Sequence, residues 1–244
     1  MAHTRHLRNA PIREALVDIA VKIRPEAQLD VLDSLQALIG EEFPIRQEIR
    51  SAEVEVDLTQ QTNKVINTPV GYMFRTSDQK RVVQFKLNGF TFNWLRPYAD
   101  WNDLRAHALR MWQIYSEALQ PERVTKLSLR YINQLELPIP AGDFSEYLAA
   151  QPNIPPSLPQ KVSNFFTRVA IHDDFTDCGA IITQIYEGLV NPKVFPLILD
   201  IDASKSVSLP PTAEEIWAIL DQLRDFKNRI FFESLTEDAV RIFE

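Results

Sequence analysis

A single cysteine, Cys178, means that no disulfide can form within this chain and that no multi-cysteine zinc site can be built from it. Glycine is also scarce: six residues, against sixteen prolines. Loops that cradle a phosphate closely depend on glycine, whereas proline fixes φ and stiffens a loop. In keeping with this, the chain has no Walker A loop, no G-x-G-x-x-G, no H-E-x-x-H and no G-x-S-x-G. Most nucleotide-binding and hydrolytic families with a short signature are thereby disfavoured. No apolar run approaches the roughly 20 residues needed to span a bilayer. Met1–Arg8 is basic but no apolar stretch follows it, so the sequence predicts no secretory leader, no membrane partner and a cytoplasmic address.

What is present is an ordinary globular balance. Of 244 residues, 45% are hydrophobic and 24% charged, with a formal net charge of -7. That is enough for one large core or two coupled halves. An acidic chain gains no counterion-release affinity over its whole surface, so nucleic acid is disfavoured as a partner. An acidic surface instead suits a basic protein.

Periodicity supplies the elements. Ala15, Val17, Ile19, Val21 and Ile23 alternate in a strand over 14–23. Pro25 is placed to open a helix that carries Leu29, Leu32, Leu35 and Ile39 and ends at Gly40. Strands follow over 52–58, 70–76 and 81–95. Within the last, Val83, Phe85 and Leu87 have one parity and Phe90, Phe92 and Trp94 the other, which predicts a bulge at Asn88–Gly89. Asp100 caps a helix striped by Trp101, Leu104, Ala108, Met111, Trp112, Tyr115 and Leu119. A long strand covers 124–137. Six prolines at 138, 140, 152, 155, 156 and 159 mark a stiff boundary, interrupted by a short helix over 143–150. Strands over 164–172, 179–187 and 197–203 come next. Thr212 and Glu215 then read as a capping box for a helix with Ile216, Ile219, Leu220, Leu223 and Phe226, and a last helix starts near Ser234.

The expected organisation is a half over 1–140, a proline-rich linker with a short helix over 141–162, and a half over 163–244 packed closely against the first. Short turns between neighbouring strands imply a mainly antiparallel sheet. The fold class is α+β with helices on one face, and two βββα repeats are one reading of the element order.

Few residues look chemical. Glu53, Glu55 and Asp57 share one parity of a strand, a spacing that could hold a divalent cation with oxygen ligands. They are similar to the E-x-E-x-K strand of triphosphate tunnel enzymes, with Asp57 in place of the lysine. Arg75, Lys86, Arg130 and Arg168 are the basic residues available to such a tunnel. The plainer alternative is the solvated side of an amphipathic strand. Asp200 and Asp202, and the group His172, Asp173, Asp174 and Asp177, are ligand-like in spacing but equally ordinary at strand ends and turns. Cys178 reads as a buried, inert thiol. Phe90, Phe92, Trp94, Tyr98 and Trp101 either stack bases alongside Lys86 and Arg96 or seal a core. Asn133 lies on the apolar side of its strand and must find partners there.

Taken together, several segments resemble a sporadically distributed family of bacterial proteins of about this length. They are Leu7-Arg8-Asn9-Ala10-Pro11-Ile12 with Glu14-Ala15, then Phe85-Lys86-Leu87-Asn88-Gly89-Phe90-Thr91-Phe92-Asn93-Trp94, then Leu129-Arg130-Tyr131-Ile132-Asn133. Leu199-Asp200-Ile201-Asp202, Leu223-Arg224, Lys227-Asn228 and the stretch from Phe231 to Thr236 complete the set. The resemblance spans nearly the whole chain, so it implies one continuous unit. It supplies no catalytic residue, and patchy distribution implies a mobile-element or defence-associated setting.

The expectation is a non-catalytic interaction protein, an accessory or antitoxin-like factor with a protein partner and no cofactor. Arg13, Glu14, Lys86, Asn93, Trp94, Arg130 and Asn133 are its candidate contact residues. The alternatives are a metal-dependent phosphoryl hydrolase using Glu53, Glu55 and Asp57, and a nucleic-acid-binding protein. Oligomeric state is left open.

Overall fold

The computed structural model describes residues 5, 7–57, 62–139, 143–188 and 194–244, with only the backbone of 53–57 and 62–66. The chain runs β1 (Ile12–Lys22), α1 (Leu29–Ser34), α2 (Gln36–Ile39), β2 (Ile45–Asp57), β3 (Thr62–Arg75), β4 (Arg81–Lys86) and β5 (Gly89–Leu95). It continues through α3 (Trp101–Leu119), β6 (Arg123–Pro138), β7 (Phe165–Asp173), β8 (Cys178–Tyr186), β9 (Val194–Leu209), α4 (Glu215–Ser234) and α5 (Glu237–Arg241). All the strands join one nine-stranded sheet in the order β2-β3-β4-β5-β1-β6-β9-β8-β7. Every ladder is antiparallel, and the fold is α+β. The β6–β9 ladder joins segments from either side of the proline-rich stretch, so the sheet is continuous across it.

Strict alternation makes the sheet two-faced. Ala15, Val17 and Ile19 of β1 are fully buried, while Glu14, Leu16 and Asp18 between them are half-buried. Register carries this division sideways: Val17 lies opposite Phe92 on one side and Leu129 on the other. The apolar face receives the helices. Asp100 caps α3 by accepting from the Asp103 N–H at 3.0 Å, and all seven residues of the expected stripe are buried. Phe90 meets Trp112 with ring centroids 5.7 Å apart and Phe85 meets Tyr115 at 5.9 Å. The Tyr115 hydroxyl donates to the Lys86 carbonyl at 2.8 Å, which satisfies the one polar atom this ring buries. α4 packs on β6, β9 and β8, and α1 packs on β3. Ring pairs among Phe144, Phe165, Tyr186 and Phe195 close the far end of the same layer.

Several local expectations need correction. Phe85 and Phe90 do share a face, but through a tight hairpin and not a bulge. Phe85 pairs with Phe90 and Lys86 with Gly89, leaving Leu87 and Asn88 as the turn. A two-residue turn reverses the chain and puts opposite parities on the same side, which a single-strand count cannot see. The first helix starts at Leu29 and not at Pro25, with Gln28 at its N-cap position. The capping box does not form: α4 follows Glu214, and no side chain caps it. The expected helix over 143–150 is a three-residue 3-10 turn, Phe144–Glu146, capped by Asp143. The last helix begins after Thr236, whose hydroxyl accepts from the Ala239 N–H. Between α2 and α3 lie four strands, β2 to β5, and between β6 and α4 lie three, β7 to β9.

Candidate functional site

With the helices on one side, the other face of the sheet centre is open, and most of the expected contact residues converge there. Across β5, β1, β6, β9 and β8 the register aligns Asn93, Leu16, Arg130, Asp202 and Ile181 in one row. Thr91, Asp18, Ser128 and Ser204 form the row beside it. Side chains in these rows pair with one another. Thr91 Oγ1 donates to Asp18 Oδ1 at 2.6 Å, and Lys86 Nζ stands 3.9 Å from the same oxygen. Asn93 Nδ2 donates to Glu14 Oε1 at 2.5 Å. Arg130 grips Asp200 bidentately, Nε to Oδ1 at 2.8 Å and Nη2 to Oδ2 at 2.6 Å. That bond raises the Arg130 pKa and fixes the guanidinium as a permanent charge.

Among the described residues two buried oxygens in this array have no partner: Asn93 Oδ1 and Asp202 Oδ1. The Asn93 assignment is chemically forced, because only its amide N–H can donate to the Glu14 carboxylate. Burial, helped by the Asp200 and Asp18 charges, raises the Asp202 carboxyl above its usual pKa, and Lys126 and Arg130 oppose this. The patch carries Glu14, Asp18, Asp200 and Asp202 beside Lys86, Lys126 and Arg130, with Arg168 in the Asp200 row on β7. Both of its buried, unpartnered side-chain atoms are oxygens.

The remaining candidates fall elsewhere. Arg13 sits at a register shift in β1, is exposed, and uses its carbonyl to accept from the Arg96 N–H at 2.9 Å. Trp94 packs edge-on against His107 and donates from Nε1 to the Pro97 carbonyl at 3.1 Å. Phe90 and Phe92 are fully buried under α3 and offer no ring to a base. Asn133 lies on the helix side, 2% exposed, and donates to the Leu199 carbonyl at 2.9 Å.

The side chains of Glu53, Glu55 and Asp57 lie outside the described residues. Their strand, β2, is one edge of the sheet, and β7 is the other. Among the described residues no ladder joins β2 to β7, so no closed barrel surrounds a tunnel. No group of three or more metal-ligating side chains forms among the described residues either. Asp173 pairs with Arg229, and His172 is 3.6 Å from Asp177. Asp200 and Asp202 are not at a strand end but in the middle of β9, on the open face. Cys178 is buried and its thiol points to the Thr176 carbonyl at 3.5 Å. Among the described residues no helix is long and apolar enough to cross a membrane.

On the helix side, one cavity of about 380 Å³ went unforeseen in the sequence. It opens between the segment preceding β1, the loop from β5 to α3, and the second half of α4. The signal was legible: Ile216, Leu220, Leu223, Lys227 and Ile230 follow helical spacing, so a lysine occupies a place in the buried stripe.

No family model matches the chain, and no curated protein matches it closely enough to count as a relative.

Proposed function

We propose that this protein works by binding a basic protein partner on the open face of its sheet, and that it does so without chemical turnover. The observation that carries the reading is the array on that face. Its side chains are already locked by hydrogen bonds, and the carboxylates of Glu14 and Asp18 are only half-buried, so a partner's arginine or lysine can reach them. Locked side chains also lose little rotamer entropy when a partner arrives. The chain's net charge of -7 would steer a basic partner from a distance.

At one end of the same sheet, edge strand β7 exposes Phe166, which lies in register with Ile185 and Ile198 on the open face and gives the partner apolar contact beside the polar array. A mobile-element or defence-associated accessory role, antitoxin-like in its use of an acidic surface, is the setting we propose. It follows from the resemblance noted in the sequence.

The hydrolase alternative is checked separately. Purified protein with Mg²⁺ or Mn²⁺ is assayed against nucleoside triphosphates and inorganic triphosphate, beside a folded Glu53→Ala/Glu55→Ala variant. The binding reading expects no turnover from either. Turnover by the parent that the variant lacks would replace that reading with the tunnel-type hydrolase.

A further inference from the structure

The helix-side cavity has the makings of a second site, independent of the open face. At its wall Lys227 is 7% exposed, and among the described residues it has no hydrogen bond and no carboxylate partner. Its ammonium lies 3.7 Å from the centre of the Tyr131 ring, a cation–π contact that Asp225 supplements only by longer-range attraction. Tyr131 is held in turn by Tyr98, hydroxyl to hydroxyl at 2.8 Å, with the rings edge-to-face at 5.6 Å. Burying a cation is tolerated where it is paired. Here the fold buries one, withholds the pair, and surrounds it with more positive charge.

Arg5, Arg8, Arg96 and Arg224 also line the cavity, and among the described residues Asp100 is its one carboxylate. Arg5 is held by Glu237 and Glu244, and Arg224 approaches Asp225 at 3.5 Å. Arg8 and Arg96 are exposed and have no acidic partner among the described residues. Tyr98, Trp101, Tyr131, Phe231 and Phe232 give the cavity flat, apolar walls. A volume of about 380 Å³ falls within the range of small-molecule sites.

We propose that this cavity binds a small organic anion, a phosphate or carboxylate carried on a planar body, with Lys227 as the counter-charge at its wall and Arg8 and Arg96 at its mouth. Charge balance is the argument. An anion supplies the partner that Lys227 lacks, and charge-assisted bonds to it are among the stronger ones available. Aromatic walls hold the body. Desolvation, with Arg224 adding to it and Asp225 opposing, lowers the Lys227 pKa to about 7. A good part of the amine is therefore neutral and nucleophilic near neutrality.

That reactivity provides the test. Pyridoxal 5′-phosphate is used purely as a probe, since it joins a phosphate, a planar ring and an aldehyde. A neutral amine adds to the aldehyde carbon, water leaves, and borohydride delivers hydride to the imine carbon, so the attachment point can be read by peptide mass spectrometry. The comparison probe is 5′-deoxypyridoxal, with the same ring and aldehyde but no phosphate. We expect Lys227 to be the first lysine labelled, and to be labelled about tenfold faster by the phosphate-bearing probe, the worth of one charge-assisted contact.

Phenyl phosphate or benzoate should protect it, and which of the two protects better identifies the head group. The Arg8→Gln/Arg96→Gln variant changes exposed residues, so it should fold normally and erase the advantage of the phosphate. Failure of Lys227 to label while surface lysines do, equal rates with both probes, or no protection by either anion would each overturn the assignment.

Discussion

Replacing Lys227 with methionine removes a charge that α4 buries against Tyr131 with no counter-ion among the described residues. The amine titrates near 10.5 in the unfolded chain and at about 7 in the fold, chiefly because burial desolvates it. At about 1.4 kcal/mol for each tenfold change in proton affinity, the folded state forgoes roughly 5 kcal/mol when the group is charged. The sign follows from proton counting. Between pH 7 and 10.5 the unfolded chain holds a proton that the folded chain has released, so this group makes stability rise with pH across that window. Below pH 7 the full cost applies.

Methionine matches the lysine stem in length but forfeits the cation–π contact, worth about 1–2 kcal/mol. Lys227→Met should therefore be more stable than the parent by about 3 kcal/mol at pH 6, and the gap should close to about 1 kcal/mol or less by pH 9.5. Urea unfolding of both proteins at pH 6, 8 and 9.5 measures it. Equal or lower stability of the variant at pH 6, or a gap that does not change with pH, would show that Lys227 is neither unpaired nor strongly desolvated.

Other outcomes follow from packing and pairing. A Cβ on Gly71 would stand 2.2 Å from the Phe85 carbonyl oxygen, so Gly71→Ala should lose at least about 2 kcal/mol in urea unfolding. In a double-mutant cycle, Arg130→Met and Asp200→Asn should show a coupling of about 1–2 kcal/mol, between the values for exposed and buried pairs. Asp202→Asn removes a carboxylate whose pKa the fold raises. A raised acid is costly when ionised, so the variant should melt higher than the parent at pH 7 and converge with it as pH falls below the raised value. Residues 1–140 expressed alone would strip β9 and α4 from β6 and expose Leu127, Leu129, Tyr131 and Leu135. That fragment should give a collapsed, poorly dispersed NMR spectrum.

The parts of this fold that were legible in the sequence are those set by a single repeating period. The stripe of α3 and the alternation in β1 and β6 could be read directly, because each position's partner is solvent or core. Two-residue turns were not. Phe85 and Phe90 have opposite parity along the chain and the same face in the sheet, and only the pairing across Leu87 and Asn88 shows this. The polar array was legible in pieces: Glu14, Lys86, Asn93 and Arg130 were singled out, but not Asp18, Thr91 or Ser128. These sit on strands distant in sequence, and only register brings them together. The cavity was missed for a different reason. Its wall comes from four separate segments, and the one local clue, a lysine in the apolar stripe of α4, was overlooked in favour of its apolar neighbours.

The central claim is that the open sheet face binds a basic partner. Its most direct test uses full-length protein and an Asp18→Asn/Asp202→Asn variant, both verified as folded, as baits in an extract of the native host. Mass spectrometry then identifies what each retains at 50 mM and at 500 mM salt. The account predicts a basic protein held by the parent at low salt and released both by the variant and by high salt. Retention of the same proteins by parent and variant, with no dependence on salt, would contradict it.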